Sequence, residues 1–116
     1  MSHLITIRWR NKRKIINAEK IVYVESYNRH LIICTETEKC EIVGKLGDFI
    51  CLLPEGMFLS IHKSFAVNMK YISELSAEGA VMTDGTVLPV SVRRKTRALE
   101  TFDRFCKERG DEQCIF

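Results

Sequence analysis

The chain has 116 residues, the size of one ordinary domain, and 46% hydrophobic residues against 2 prolines and 6 glycines exclude a disordered or fibrous segment. No apolar run approaches the roughly 18 residues that cross a bilayer, and residues 1–10 lack the apolar block of a signal peptide, so a cytoplasmic protein with no membrane partner is expected. The net charge is only +3, but its distribution is uneven. Windows 1–18 (Arg8, Arg10, Lys12, Arg13, Lys14), 56–73 (Lys63, Lys70) and 85–99 (Arg93, Arg94, Lys95, Arg97) hold eleven of the 18 basic residues and none of the 15 acidic ones. If folding unites them, one face is positive and the remainder negative, the electrostatic footprint of a polyanion binder.

In chain order, Ile5, Ile7 and Trp9 alternate with Thr6, Arg8 and Arg10, the period of a half-buried strand with a basic outer face. Asn11-Lys12 is a turn. A strand over 14–17, a short connection 18–20 and a β-rich run 21–26 follow. Tyr27 to His30 form a polar tip before strand character resumes over 31–35, and 39–43 is a further strand. Leu46, Phe49, Ile50 and Leu53 fall at helical spacing, and Pro54 ends that short helix. A meander comes next, with strands over 71–75, 80–83 and 86–90 and turns at Glu78-Gly79 and Asp84-Gly85. Both residues of the Asp-Gly turn are expected to take positive φ. Ser91 is the expected N-cap of a closing helix whose apolar stripe is Ala98, Leu99, Phe102, Phe105 and Cys106, with Gly110 at its stop. The fold class is therefore mainly β, with small antiparallel sheets, one short central helix and a C-terminal helix, in a domain over residues 1–110 with a tail at 111–116.

Cys34, Cys40, Cys51, Cys106 and Cys114 are odd in number and form no C-x-x-C pair, which predicts reduced core thiols and no zinc. The chain holds no G-x-S-x-G, no phosphate-cradling glycine loop and no H-E-x-x-H, and His62-Lys63-Ser64 is too local to serve as nucleophile and base. No enzyme and no cofactor are expected. The chemistry lies instead at the start of the closing helix, where Arg93, Arg94, Lys95 and Arg97 oppose the macrodipole at roughly 0.3–1 kcal/mol each. Free N–H groups plus guanidinium groups there suit an external phosphate, and Arg also grips guanine O6 and N7. His62 and Asn68 read as structural hydrogen-bonding residues. A single-stranded nucleic-acid or RNA-binding β module is the alternative, but Trp9, Tyr23, Phe65, Phe102 and Phe105 fall at core positions, leaving Tyr27 to stack on a base.

The segment Phe58-Leu59-Ser60-Ile61-His62-Lys63-Ser64-Phe65-Ala66-Val67-Asn68-Met69-Lys70-Tyr71-Ile72 resembles the signature of LytTR DNA-binding domains, the output modules of bacterial transcriptional regulators. Upstream, Ile21-Val22-Tyr23-Val24-Glu25-Ser26 with its polar tip is similar to the family's opening strands. Downstream, Asp84-Gly85 and Leu88-Pro89-Val90-Ser91-Val92-Arg93-Arg94 match a further family motif, so the resemblance covers about residues 4–106. It implies an elongated arrangement of small sheets whose loops and strand ends enter the major groove of double-stranded DNA, roughly 12 Å wide. It further implies base contacts from His30, Lys63 and Arg93, with Asn28 and Arg29 contacting bases or backbone. Phosphate contacts fall to Ser64, Arg94, Lys95, Arg8, Arg10 and Lys12. Dimers on direct-repeat sites and a receiver domain in a longer protein are implied as well. Ser60 stands where many members have Arg, and Lys63 where Arg or Asn is common, so the base read there differs from that of relatives.

Overall fold

Strands β1 (Leu4–Trp9) and β2 (Lys12–Asn17) pair with Trp9 opposite Lys12. The two-residue turn is therefore Arg10-Asn11, one position earlier than the sequence suggests, and both residues have positive φ, 50° and 57°. The next hairpin, β3 (Ile21–Tyr27) and β4 (His30–Thr35), repeats this geometry at Asn28 and Arg29, with φ of 48° and 64°. Positive φ at both central positions matches the twist of the flanking strands. Asn tolerates it, whereas for Arg it costs about 1–2 kcal/mol. Both hairpins thus hold an exposed arginine at a strained tip.

The computed structural model describes residues 3–110; the expected tail at 111–116, with Cys114, lies outside the described residues. Strands β5 (Lys39–Val43), β6 (Phe58–His62) and β7 (Phe65–Asn68) complete a five-stranded antiparallel sheet in the order β5-β4-β3-β7-β6. Both faces of this sheet are covered. Val24, Leu31, Ile33, Cys40 and Ala66 pack under the β1–β2 hairpin and the short helix α1 (Leu46–Ile50). Val22, Tyr23, Cys34, Leu59, Ile61 and Val67 pack on the other side, under a second sheet and the closing helix α2 (Lys95–Glu108). A register shift between Ile21 and Tyr23 turns two consecutive side chains, Val22 and Tyr23, into that second core. The result is a three-layered, elongated body of 50 × 32 × 24 Å, mainly β as expected.

The second sheet, β8 (Ile72–Leu75), β9 (Gly79–Met82) and β10 (Val87–Pro89), is the expected meander with two corrections. Gly79 is the first residue of β9 and not part of the turn. A Cβ there would stand 3.1 Å from the Leu88 carbonyl oxygen, so close strand approach explains the glycine. In the other turn only Gly85 takes positive φ, 91°. Gly85 N–H donates to Met82 O (2.9 Å) and Met82 N–H to Thr86 O (2.8 Å), which closes a three-residue loop over Thr83–Gly85.

The third correction concerns the start of α2. Ser91 is not its N-cap: the Ser91 N–H donates to Ile61 O (2.8 Å), so Ser91 still belongs to the edge of the five-stranded sheet. Its carbonyl accepts from Arg94 N–H (3.1 Å) in a turn, and the helix begins only at Lys95, with Arg94 as an N-cap that supplies no side-chain bond. Edge pairing thus fixes Ser91 ahead of the helix, and its buried Oγ has no hydrogen-bond partner among the described residues. Along α2, Ala98 is buried while Leu99, Phe102, Phe105 and Cys106 are half-buried, as the stripe predicts. Cys34 and Cys40 are free and buried, and burial raises both thiols above their ordinary range, so they stay neutral.

Candidate nucleic-acid interface

Three chain reversals meet at one end of the central sheet. β3 ends at Tyr27 and β4 begins at His30; β6 ends at His62 and β7 begins at Phe65. Because β3 and β7 are neighbours, the Asn28-Arg29 and Lys63-Ser64 turns emerge side by side, and Ser26 N–H donates to Ser64 O (2.8 Å) between them. The Ser91–Ile61 bond pins the segment before α2 beside the same end of β6. His30, Lys63 and Arg93, with Asn28, Arg29, Ser64, Arg94 and Lys95, therefore share one edge of the molecule. Asn28, Arg29, Lys63 and Arg93 are exposed, and the other four are half-buried.

The remaining cations lie elsewhere. Lys70 follows β7 at the opposite end, beside Asn68, whose amide bonds to Ile21 O at the start of β3. The β1–β2 hairpin covers the other face of the sheet from α2. There Arg10, Lys12 and Lys14 lie 4.8, 5.3 and 5.1 Å from the Trp9 ring centroid, and Lys14 is bonded to Glu38 (2.8 Å) in the turn at the far end of β4. Arg8 is exposed on that hairpin. Of the three acid-free windows, then, only the third and the Lys63 part of the second converge.

Two histidines differ in kind. His62 Nδ1 accepts from Ser64 N–H (3.1 Å) and its ring meets Phe65 edge-on at 5.7 Å, so it shapes the Lys63 turn, as expected of a structural histidine. His30 Nδ1 instead lies 2.8 Å from Glu41 Oε2, with both side chains about half exposed. Glu41 is the diagonal cross-strand neighbour of His30, since His30 opposes Val43 on β5. This carboxylate orients the imidazole through Nδ1. Nothing local in the sequence announces the pair, because it depends on the β4–β5 register.

Tyr27 is 62% exposed, as expected, but sequence reasoning misses the apolar groups beside it at this edge: Val43 and Val92 are 79% and 80% exposed. Tyr27 and Val43 flank His30 in register on the adjoining strands, and Val92 precedes Arg93. A second omission is a groove of about 690 Å³ between β6 and α2, whose lining includes Ser60, Arg93, Arg94, Arg97, Thr101 and Arg104. Its helical wall is readable only once β6 is known to lie beside it. The first turn of α2 contains no acidic residue.

Loops and strand ends thus carry cations and exposed methyl groups to one edge of a small β fold. The model of the LytTr DNA-binding domain family matches residues 11–103, and the chain belongs to that family of DNA-binding, transcription-regulating domains. It is 32% identical over 73 residues to the transcriptional regulatory protein NatR of Bacillus subtilis, covering 63% of this chain and 31% of that protein. It is 29% identical over 82 residues to the sensory transduction protein LytT of the same organism, covering 66% of this chain and 34% of that one. The chain thus spans about a third of the length of these relatives. A solved LytTr DNA-binding domain from Bacillus cereus superposes with a TM-score of 0.71 at 21% identity, over 89% of this chain and 95% of that one, which establishes the fold. Among the described residues no helix is long and apolar enough to cross a membrane.

Proposed function

We propose that this chain binds double-stranded DNA in a sequence-specific manner, as a transcriptional regulator or its output domain, by setting the sheet end of Asn28-Arg29, Lys63-Ser64 and Ser91–Lys95 into the major groove. The convergence of these segments on one edge carries the reading. His30, Lys63 and Arg93 read base edges; Lys63 and Arg93 donate to guanine acceptors, and Val43 and Val92 suit thymine methyl groups. Asn28 and Arg29 contact bases or backbone, while Ser64, Arg94, Lys95 and the uncapped N–H groups of α2 hold phosphates. Arg8, Arg10 and Lys12, on the other face of the sheet, serve a separate stretch of backbone. Work in the cytoplasm, dimers on direct repeats and a receiver domain in a longer protein complete the proposal.

Mobility shifts on duplex and single-stranded DNA across a salt series test it. Duplex preference is expected, with log K falling by about 0.9 per neutralised phosphate as log salt rises. Preference for single strands would favour a stacking module built on Tyr27, the exposed aromatic among the described residues.

Glu41 supplies a sharper test. A carboxylate at a phosphate-facing edge is repulsive, so Glu41→Gln is expected to tighten binding to random duplex several-fold while loosening selection at the base pair under His30. Base-selection profiles of the two proteins compare directly. An unchanged profile at every position would remove His30 from the base-reading set.

A further inference from the structure

We propose that the groove between β6 and α2 is a second backbone-binding site, which takes the phosphodiester chain of DNA beyond the base-reading edge. It rests on the duplex-binding reading above and extends the footprint along the side of the molecule. Four guanidinium groups, from Arg93, Arg94, Arg97 and Arg104, line it against one carboxylate, Glu100. Among the described residues none of the four is ion-paired within 4 Å, and the single carboxylate leaves the lining net positive. Arg97, Thr101 and Arg104 are spaced i, i+4, i+7 and form one wall. Ser60 stands on the opposite wall, at the free side of edge strand β6, and the small buried Ala98 keeps the floor deep.

Arg94 and Arg97, three residues apart at the start of α2, oppose each other and the macrodipole by a few tenths of a kcal/mol, a cost that an anion in the groove reverses. Hydroxyl and guanidinium donors without any aromatic lining suit phosphate oxygens and not stacked bases. From Arg94 to Arg104 the helix rises about 15 Å, the axial span of roughly four phosphates on one strand. Continuity decides between DNA and an acidic protein segment as occupant, because Arg93 and Arg94 belong to the groove and to the base-reading edge alike.

The experiment uses the full chain, a duplex selected from a random pool with ten flanking base pairs on each side, and a random duplex of equal length. Arg97→Gln with Arg104→Gln is expected to lower the slope of log K against log salt by about two and to weaken both duplexes equally. Arg97→Lys with Arg104→Lys retains the slope, and Ser60→Glu, on the other wall, reproduces the loss. Trimming the flanks brings the wild type down to the double Gln variant. All three positions are exposed, so thermal melting of the variants is expected to match the wild type. A wild type that shifts duplex with a slope the double Gln variant shares overturns the groove alone and leaves an acidic protein segment as its occupant. A wild type that shifts no duplex overturns the DNA reading and the groove with it.

Discussion

Arg93→Ala is expected to cost roughly 1–3 kcal/mol, or about 5- to 150-fold, on a selected duplex and far less on a random one. The side chain is exposed and sits in the turn between the edge-paired Ser91 and the first residue of α2, so its removal leaves no cavity and breaks no capping bond. Backbone geometry is held instead by Ser91 N–H on Ile61 and by Arg94 N–H on Ser91, both independent of the guanidinium. What disappears is a planar fork of donors that matches O6 and N7 of one guanine. Arg93→Lys keeps the charge and loses the fork, and is expected to retain random-duplex affinity while still losing discrimination. Competition titrations with selected and random duplex at fixed salt read both effects. Equal losses on the two probes would reassign Arg93 to a phosphate.

Asn68→Ala is expected to be the most damaging change to the fold, at about 2–4 kcal/mol. The residue is fully buried; its Nδ2 donates to Ile21 O (3.0 Å) and its Oδ1 accepts from Lys70 N–H (3.2 Å). Truncation forfeits two hydrogen bonds of about 1 kcal/mol each and strands the Ile21 carbonyl in a fully buried setting, which adds a desolvation cost. Against a total of roughly 5–15 kcal/mol for a domain, that is a large fraction, and a fall in Tm on the order of 10–20 °C follows. Asn17 provides the comparison. It caps the equivalent 3₁₀ turn with one bond, from Glu19 N–H (3.0 Å), but is only half-buried, so Asn17→Ala is expected to cost about 0.5–2 kcal/mol, nearer the low end. Urea titrations rank the two. Similar losses would mean that the Asn68 amide does not bridge β7 to β3.

The strand alternations, the helical stripe of α2 and the structural character of His62 and Asn68 were legible because each arises within a few residues of backbone. The misplacements were local competitions with a distant partner. Lys12 joined β2 because Trp9 opposes it, Gly79 joined β9 because Pro89 opposes it, and Ser91 stayed ahead of the helix because Ile61 holds its N–H at the sheet edge. Composition presented three basic windows as equals, although one half of the second and all of the first fold away from the third.

From the sequence alone came the mainly β class, the family and the cationic segments able to meet a polyanion, since hydrophobic period, turn chemistry and motif order are properties of the chain itself. Only the tertiary structure decided which cations share an edge, that Glu41 holds His30, and that Ser60 faces a wall of arginines. Those are consequences of strand order and register, which bring together residues dozens of positions apart and leave no trace in any short window.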